Sequence, residues 1–224
     1  MTQALSLGVF LTGLSYAIGL TLGWTSGLDL LEVFAVFTSY VCTYLCVVER
    51  RINYPIGAVS NAAYCVLFAQ WGLVGSSFVT GYLTLSLVYG WFRWKNDDNT
   101  RPVTLMDYRW LPAYLAVAGV AFFGALYLYP LFNQPVVWTD AIILVGSIIA
   151  QLMLDNKKLE NWIVWAVVNV FAIYTYFHQG LALAGFQYIF FLLNTVYGFY
   201  MWQQSRKAVM LPQQEAAVAL EAVA

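Results

Sequence analysis

NYPIGAVSNAAYCVLFAQWG (Asn53–Gly72) and NWIVWAVVNVFAIYTYFHQG (Asn161–Gly180) stand 108 positions apart. Each has twenty residues without a Lys, Arg, Asp or Glu, the length and polarity of a helix that crosses a bilayer. Sliding the chain by the same 108 positions aligns Glu32–Trp94 with Asp140–Trp202 without a gap, and 13 of the 63 pairs are identical. Asn53 meets Asn161, Asn61 meets Asn169, Gly72 meets Gly180, Ser39 meets Ser147 and Trp94 meets Trp202. Val88-Tyr89-Gly90 meets Val196-Tyr197-Gly198, and acid meets acid at Glu32 and Asp140. Hydropathy alone does not call for shared Asn, Gly and Trp, so the chain contains an internal repeat.

The rest of the composition agrees. Of 224 residues, 62 % are hydrophobic and 9 % charged, against roughly 25 % charged in soluble domains. So few charges cannot cover the surface of a soluble fold, and the chain reads as an all-α integral membrane protein. Apolar runs give eight helices, approximately Leu5–Trp24, Leu28–Val48, Asn53–Gly72, Val74–Trp94, Leu111–Tyr129, Thr139–Leu154, Asn161–Gln179 and Leu181–Trp202. All ten basic residues follow the second, fourth, sixth or eighth helix, or sit at its end. This separation places those connections and both termini in the cytoplasm. The first run lacks a basic flank and a small-residue exit, so it reads as a retained helix rather than a signal peptide.

The expected organisation has five parts. Residues 1–27 hold an additional N-terminal helix, 28–94 a first three-helix repeat, and 95–137 a cytoplasmic linker and linker helix. Residues 138–202 hold the second repeat, and 203–224 a cytoplasmic tail that reads as partly disordered. One helix between two odd-numbered units leaves the repeats parallel, related by an axis along the membrane normal.

Several function classes drop out. A net charge of −1 offers nucleic acid no basic surface. There is no phosphate-binding glycine loop, no metal constellation and no nucleophile–base pair, so neither an enzyme nor a cofactor is expected. Cys42, Cys46 and Cys65 read as packing residues in apolar runs. Glu32 and Asp140 read as solvated helix-end residues, and His178 as an interfacial one.

Hydrogen-bonding groups at the midplane are neutral. Asn61 and Asn169 each sit about eight residues into a helix, about 12 Å deep. An amide there must face protein or a cavity, as interhelical glue or as a ligand contact. Aromatic neighbours favour the cavity: Tyr54, Asn61, Tyr64 and Phe68 share one helix face, Trp162, Trp165, Asn169 and Tyr176 another, and Gln187, Asn194 and Tyr197 a third. Candidate substrate-binding residues are Asn61, Asn169, Asn194, Gln151, Trp165, Tyr188, Gln187 and Ser86. Amides and flat rings without net charge suit a small, hydroxylated aromatic heterocycle, uncharged or with a delocalised positive charge.

Asn53-Tyr54-Pro55-Ile56-Gly57 followed by Asn61, Tyr89-Gly90-Trp91-Phe92-Arg93-Trp94, Glu160-Asn161-Trp162 followed by Trp165 and Asn169, and Ala150-Gln151-Leu152-Met153 resemble the signature segments of PnuC-type transporters. The resemblance implies a SWEET-like fold with a 3+1+3 core, a homotrimer in a bacterial inner membrane, and import of nicotinamide riboside by facilitated diffusion. It also implies a cytoplasmic kinase that traps the substrate by phosphorylation. Tyr54 stands where the family often has Trp, and Asn169 where an acid is frequent. Thiamine or riboflavin is the alternative cargo, and a non-transport receptor or scaffold the alternative class.

Reporter fusions after Arg51, Arg101, Lys158 and the C-terminus should report cytoplasm, and those at Gly27, Gly72, Asn133 and Gly180 the outside. Two adjacent connections on the same side would end the eight-helix reading.

Overall fold

The computed structural model describes residues 1–25, 29–70, 74–94, 102–131 and 138–221. Residues 95–101 of the linker and three of the outer fusion points, Gly27, Gly72 and Asn133, lie outside the described residues. The described chain contains eight α-helices: α1 (Thr2–Thr21), α2 (Leu30–Val47), α3 (Asn53–Gln70), α4 (Val74–Arg93), α5 (Leu111–Leu131), α6 (Trp138–Asp155), α7 (Asn161–His178) and α8 (Ala182–Glu221). Five of the helical segments are long and apolar enough to cross a membrane; α3, α4 and α7 fall short of that composition. α3 and α7 are the helices that carry Asn61 and Asn169.

The sequence explains where these helices start and stop. The Asp29 carboxylate caps α2 by accepting from the backbone N–H groups of Leu31 (2.8 Å) and Glu32 (3.3 Å). Pro55 occupies the first turn of α3, where its missing N–H breaks no helical bond. α2 and α6 end in the same turn, 108 residues apart. Glu49 and Lys157 take left-handed backbone angles (φ 54° and 49°), and the N–H groups of Arg50 and Lys158 reach back to the carbonyls of Leu45 and Met153, each at 2.9 Å. The next helix begins alike in both halves, with the Asn53 amide donating to Arg50 O (2.7 Å) and the Asn161 amide to Lys158 O (2.6 Å). A non-glycine residue in the left-handed region costs of order 1–3 kcal/mol. At this paired turn the two side chains meet, with Lys157 Nζ 3.1 Å from Glu49 Oε2.

Six helices close a ring. α2 packs on α3, α3 on α4, α4 on α6, α6 on α7, α7 on α8, and α8 returns to α2. Within each half the middle helix in sequence is also the middle helix in space. Each junction between halves joins the first helix of one to the third helix of the other, so the repeat equivalence extends to tertiary contacts. α1 and α5 stand outside the ring, α1 on α2 and α8, α5 on α6. Only Ala125 and Tyr129 of α5 are buried.

One end of the ring is sealed by an aromatic core of Tyr54, Trp94, Trp162 and Trp202 with Cys46, Val47, Leu87 and Leu154. The bonding crosses between halves in both directions. Trp94 Nε1 donates to Asp155 O, and Trp202 Nε1 donates to Cys46 O, both at 3.1 Å. The two tryptophan rings lie 6.2 Å apart, and the Lys157 ammonium sits 4.6 Å from the Trp94 ring centre. Against this core the first described linker residues are stitched to the α6–α7 turn. Thr104 N–H donates to Lys157 O and Leu159 N–H to Thr104 O, both at 3.0 Å, while the Glu160 carboxylate accepts from Met106 N and the Tyr108 hydroxyl.

The tail departs from its expected form. α8 continues through Pro212 to Glu221, so residues 203–221 are helical rather than irregular. Ala, Gln, Glu and Leu are strong helix formers, and the segment extends a helix already nucleated upstream. At 40 residues α8 spans about 60 Å, twice a bilayer core, so its C-terminal half projects beyond any membrane the ring occupies.

The paired Val-Tyr-Gly segments have a steric reason. A Cβ on Gly198 would fall 2.5 Å from the Trp162 ring, and one on Gly90 would overlap the Tyr54 ring and lie 2.6 Å from the Asp155 carboxylate. Gly90→Ala and Gly198→Ala should therefore each destabilise the purified protein by about 1–3 kcal/mol. Gly124→Ala on α5, where nothing lies within 4 Å, should leave the melting temperature equal or slightly raised. Equal melting of all three variants would refute this account of the core.

Candidate functional site

The ring of helices encloses a cavity of about 210 Å³. Repeat equivalents line it in pairs: Glu32 with Asp140, Val36 with Leu144, Ser39 with Ser147, Thr43 with Gln151, Asn61 with Asn169, Phe68 with Tyr176, Thr80 with Tyr188 and Leu83 with Phe191. A wall built this way straddles the relation between the halves, as expected of a site at a repeat interface.

Seven of the eight candidate residues line this cavity: Asn61, Asn169, Asn194, Gln151, Trp165, Tyr188 and Gln187. Ser86 does not; its hydroxyl is buried behind the wall and donates to Asp155 Oδ2 at 3.3 Å. Tyr197, grouped with Gln187 and Asn194 by helical spacing, is 45 % exposed on the outside of α8. Tyr54 belongs to the aromatic seal rather than to the cavity.

The amides differ in what holds them. Asn61 Nδ2 donates to Gly57 O (3.0 Å) within its own helix. Asn194 Nδ2 reaches Thr43 O (3.2 Å) across the α8–α2 junction. Gln187 bridges the halves twice, accepting from the Tyr64 hydroxyl (2.8 Å) and donating to Ser39 Oγ (2.6 Å). These last two amides combine interhelical bonding with a place in the wall. Asn169 is 2 % exposed, yet its amide makes no hydrogen bond among the described residues. It is also absent from the fully enclosed, unsatisfied polar atoms, so its remaining accessible surface faces the cavity. A buried amide without a partner costs about 1–3 kcal/mol, which a bound polar group would recover. Around it, Tyr176 and Tyr188 are tilted at 5.2 Å, and Tyr64 and Phe68 stack at 5.6 Å.

Two features are not legible in the sequence. Asp155 closes α6 beside the charged run Asn156-Lys157-Lys158, which reads as a solvated helix end. In the fold it is fully buried and accepts from Gln151 Nε2 (2.8 Å), the Tyr54 hydroxyl (3.1 Å) and Ser86. The available signal was the spacing Gln151–Asp155, one helical turn on one face. Glu32 and Asp140 line the cavity instead of facing bulk water alone, and the Asp140 carboxylate accepts from the Tyr129 hydroxyl at 2.9 Å.

Residues 29–204 match the family described as nicotinamide mononucleotide transporter. The chain is 24 % identical over 213 residues to the nicotinamide riboside transporter PnuC of Escherichia coli (strain K12), covering 81 % of this chain and 89 % of that protein. It is 26 % identical over 155 residues to the riboflavin/roseoflavin transporter RibM of Streptomyces davaonensis, covering 66 % and 72 %. Among solved structures, the crystal structure of the vitamin B3 transporter PnuC superposes with a TM-score of 0.74 at 19 % identity, covering 93 % of both chains. That likeness shows a shared fold.

Asp155→Leu should destabilise the ligand-free protein strongly, because Tyr54, Gln151 and Ser86 lose a buried acceptor at about 1–3 kcal/mol per orphaned group. Asp155→Asn, which keeps one acceptor oxygen, should lie between Leu and wild type in melting temperature. Adding Tyr54→Phe to Asp155→Leu should cost less than the sum of the two changes. Strict additivity would show that the network is not shared.

Proposed function

The chain belongs to the nicotinamide mononucleotide transporter family, and from that membership we propose that this membrane transporter of PnuC type carries nicotinamide riboside. The observation that carries the reading is Asn169, an unpartnered, buried amide facing a cavity walled by tyrosines, Trp162 and Trp165. An amide pairs with a carboxamide or a sugar hydroxyl, and aromatic faces take the heterocycle. Asn61, Asn194, Gln151, Gln187, Trp165 and Tyr188 complete the solute contacts, and Ser86 supports them through Asp155. Among the described residues the lining holds no Lys, Arg or His, the side chains that hold a phosphate, which favours the riboside over the mononucleotide.

The same chemistry supports import by facilitated diffusion. No nucleotide loop drives the cycle, and Glu32, Asp140 and Asp155 sit near helix ends rather than at mid-depth. Phosphorylation by a cytoplasmic kinase gives a product that a wall with two carboxylates and no base rejects, and so traps it. We extend the reading to a SWEET-like 3+1+3 core, supported by the contacts that recur at an offset of 108. It extends likewise to a homotrimer in a bacterial inner membrane with both termini cytoplasmic. The riboflavin/roseoflavin relative makes riboflavin the second reading, with the polar and aromatic wall as its support.

Purified protein should bind nicotinamide riboside more tightly than thiamine or riboflavin, and vesicles should equilibrate it without a pH or sodium gradient. Asn169→Leu should weaken binding by about 1–3 kcal/mol, roughly five- to 150-fold, with an unchanged melting temperature because no protein hydrogen bond is lost. Asn194→Leu, which removes the bond to Thr43, should lower the melting temperature as well. Unchanged affinity in Asn169→Leu would sink the site assignment, and accumulation above the external concentration in kinase-free vesicles would sink the energetics.

A further inference from the structure

Among the described residues, Glu32 and Asp140 are the two carboxylates in the cavity lining, and no Lys, Arg or His lines it with them. Each occupies the first turn of its helix, α2 or α6, where the helix dipole favours the ionised form. They lie 14 residues, about 21 Å, from Cys46 and Leu154 at the sealed end, so they mark the opposite end of the cavity. The ion pair among the described residues, Lys157 with Glu49, belongs to the sealed end. Neither cavity carboxylate has a protein cation beside it. Asp140 is held by the Tyr129 hydroxyl, which is neutral and leaves its charge uncompensated.

A second observation points independently to a ligand in the same space. Asn169 is nine-tenths buried or better, has no partner among the described residues, and faces the cavity. Aromatic rings share the cavity wall with Asn169 and the acids, including Tyr176 and Tyr188 at 5.2 Å from each other. Ring faces and carboxylates share one preference, for a flat group that carries delocalised positive charge. A neutral ring of the same shape gains the stacking but not the field.

We propose that Glu32 and Asp140 form a charge-selecting subsite that favours planar aromatic monocations over neutral rings of the same outline. The proposal rests on the reading of this cavity as the solute site. It assigns to the acids a role in specificity, separate from the hydrogen bonds that Asn169 and its neighbours make to the carboxamide and sugar.

The test compares nicotinamide riboside with its dihydro form, which keeps the carboxamide and ribose but loses the positive charge. Equilibrium binding to the purified full-length wild type should favour the cation by tenfold or more. Glu32→Gln and Asp140→Asn should each weaken the cation about tenfold, the size expected for unit charges roughly 10 Å apart at an effective dielectric near 20. Both variants should bind the dihydro form within about twofold of wild type and keep the wild-type melting temperature. Equal wild-type affinity for the two forms, or equal loss of both in the variants, overturns the proposal and leaves the nicotinamide riboside reading standing. If neither form binds, thiamine (a cation) and riboflavin (neutral) serve as the second pair. Thiamine binding that falls about tenfold in the variants keeps the proposal and overturns the nicotinamide riboside reading. Preference for riboflavin, or binding of none of the four, overturns both.

Discussion

Two tryptophan N–H groups, each donated to a carbonyl of the opposite half, hold this fold in register. Trp94 finds Asp155 O and Trp202 finds Cys46 O, at the C-terminal ends of α6 and α2. Each indole N–H is fully buried, so failing to place it would cost about 1–3 kcal/mol. Satisfying both at once fixes how α4 meets α6 and how α8 meets α2, the two junctions that close the ring. The cavity lies beyond those junctions, which indole rings close at one end, and amides, hydroxyls and aromatic rings line it. Gly90 and Gly198 belong to the same arrangement, since they let the Tyr54 and Trp162 rings lie flat against α4 and α8.

Much of this was written in the residues. Apolar runs gave the helix count, and an offset of 108 gave pairs that prove to be turns and cavity neighbours. Asn61 and Asn169 were legible because an amide at mid-depth must face something polar. Asp155 was hidden because a carboxylate beside lysines normally belongs to water, and only the tertiary meeting of α3, α4 and α6 buries it. Tyr197 was misplaced by helical spacing, which groups residues by face but does not say how wide the buried face is. Glu32 and Asp140 lay at helix ends, and sequence has no means of showing that both ends open onto one cavity.

The halves are equivalent in backbone and unlike in chemistry. The Asn61 amide is tied to its own helix, whereas its equivalent Asn169 is untied. Gly57 faces the cavity where the second half presents Trp165, and Phe68 where it presents Tyr176. A duplicated frame thus gives depth and closure, and divergence of a few side chains gives the cavity a direction. The two walls therefore offer different chemistry to whatever occupies the space between them.

The pairing of Glu49 with Lys157 bears on how such a molecule can be assembled. These residues are repeat equivalents that touch each other, so they flank the line relating the halves. In a dimer of two identical half-length chains, that position would meet its own copy, and Glu would face Glu or Lys would face Lys. Like charges in a site where Lys157 has no solvent exposure would repel with nothing to offset them. Opposite charges become available there only where the two halves differ in sequence, as they do within this polypeptide. The bridge is therefore a contact between unlike halves, one that neither half could make with a copy of itself.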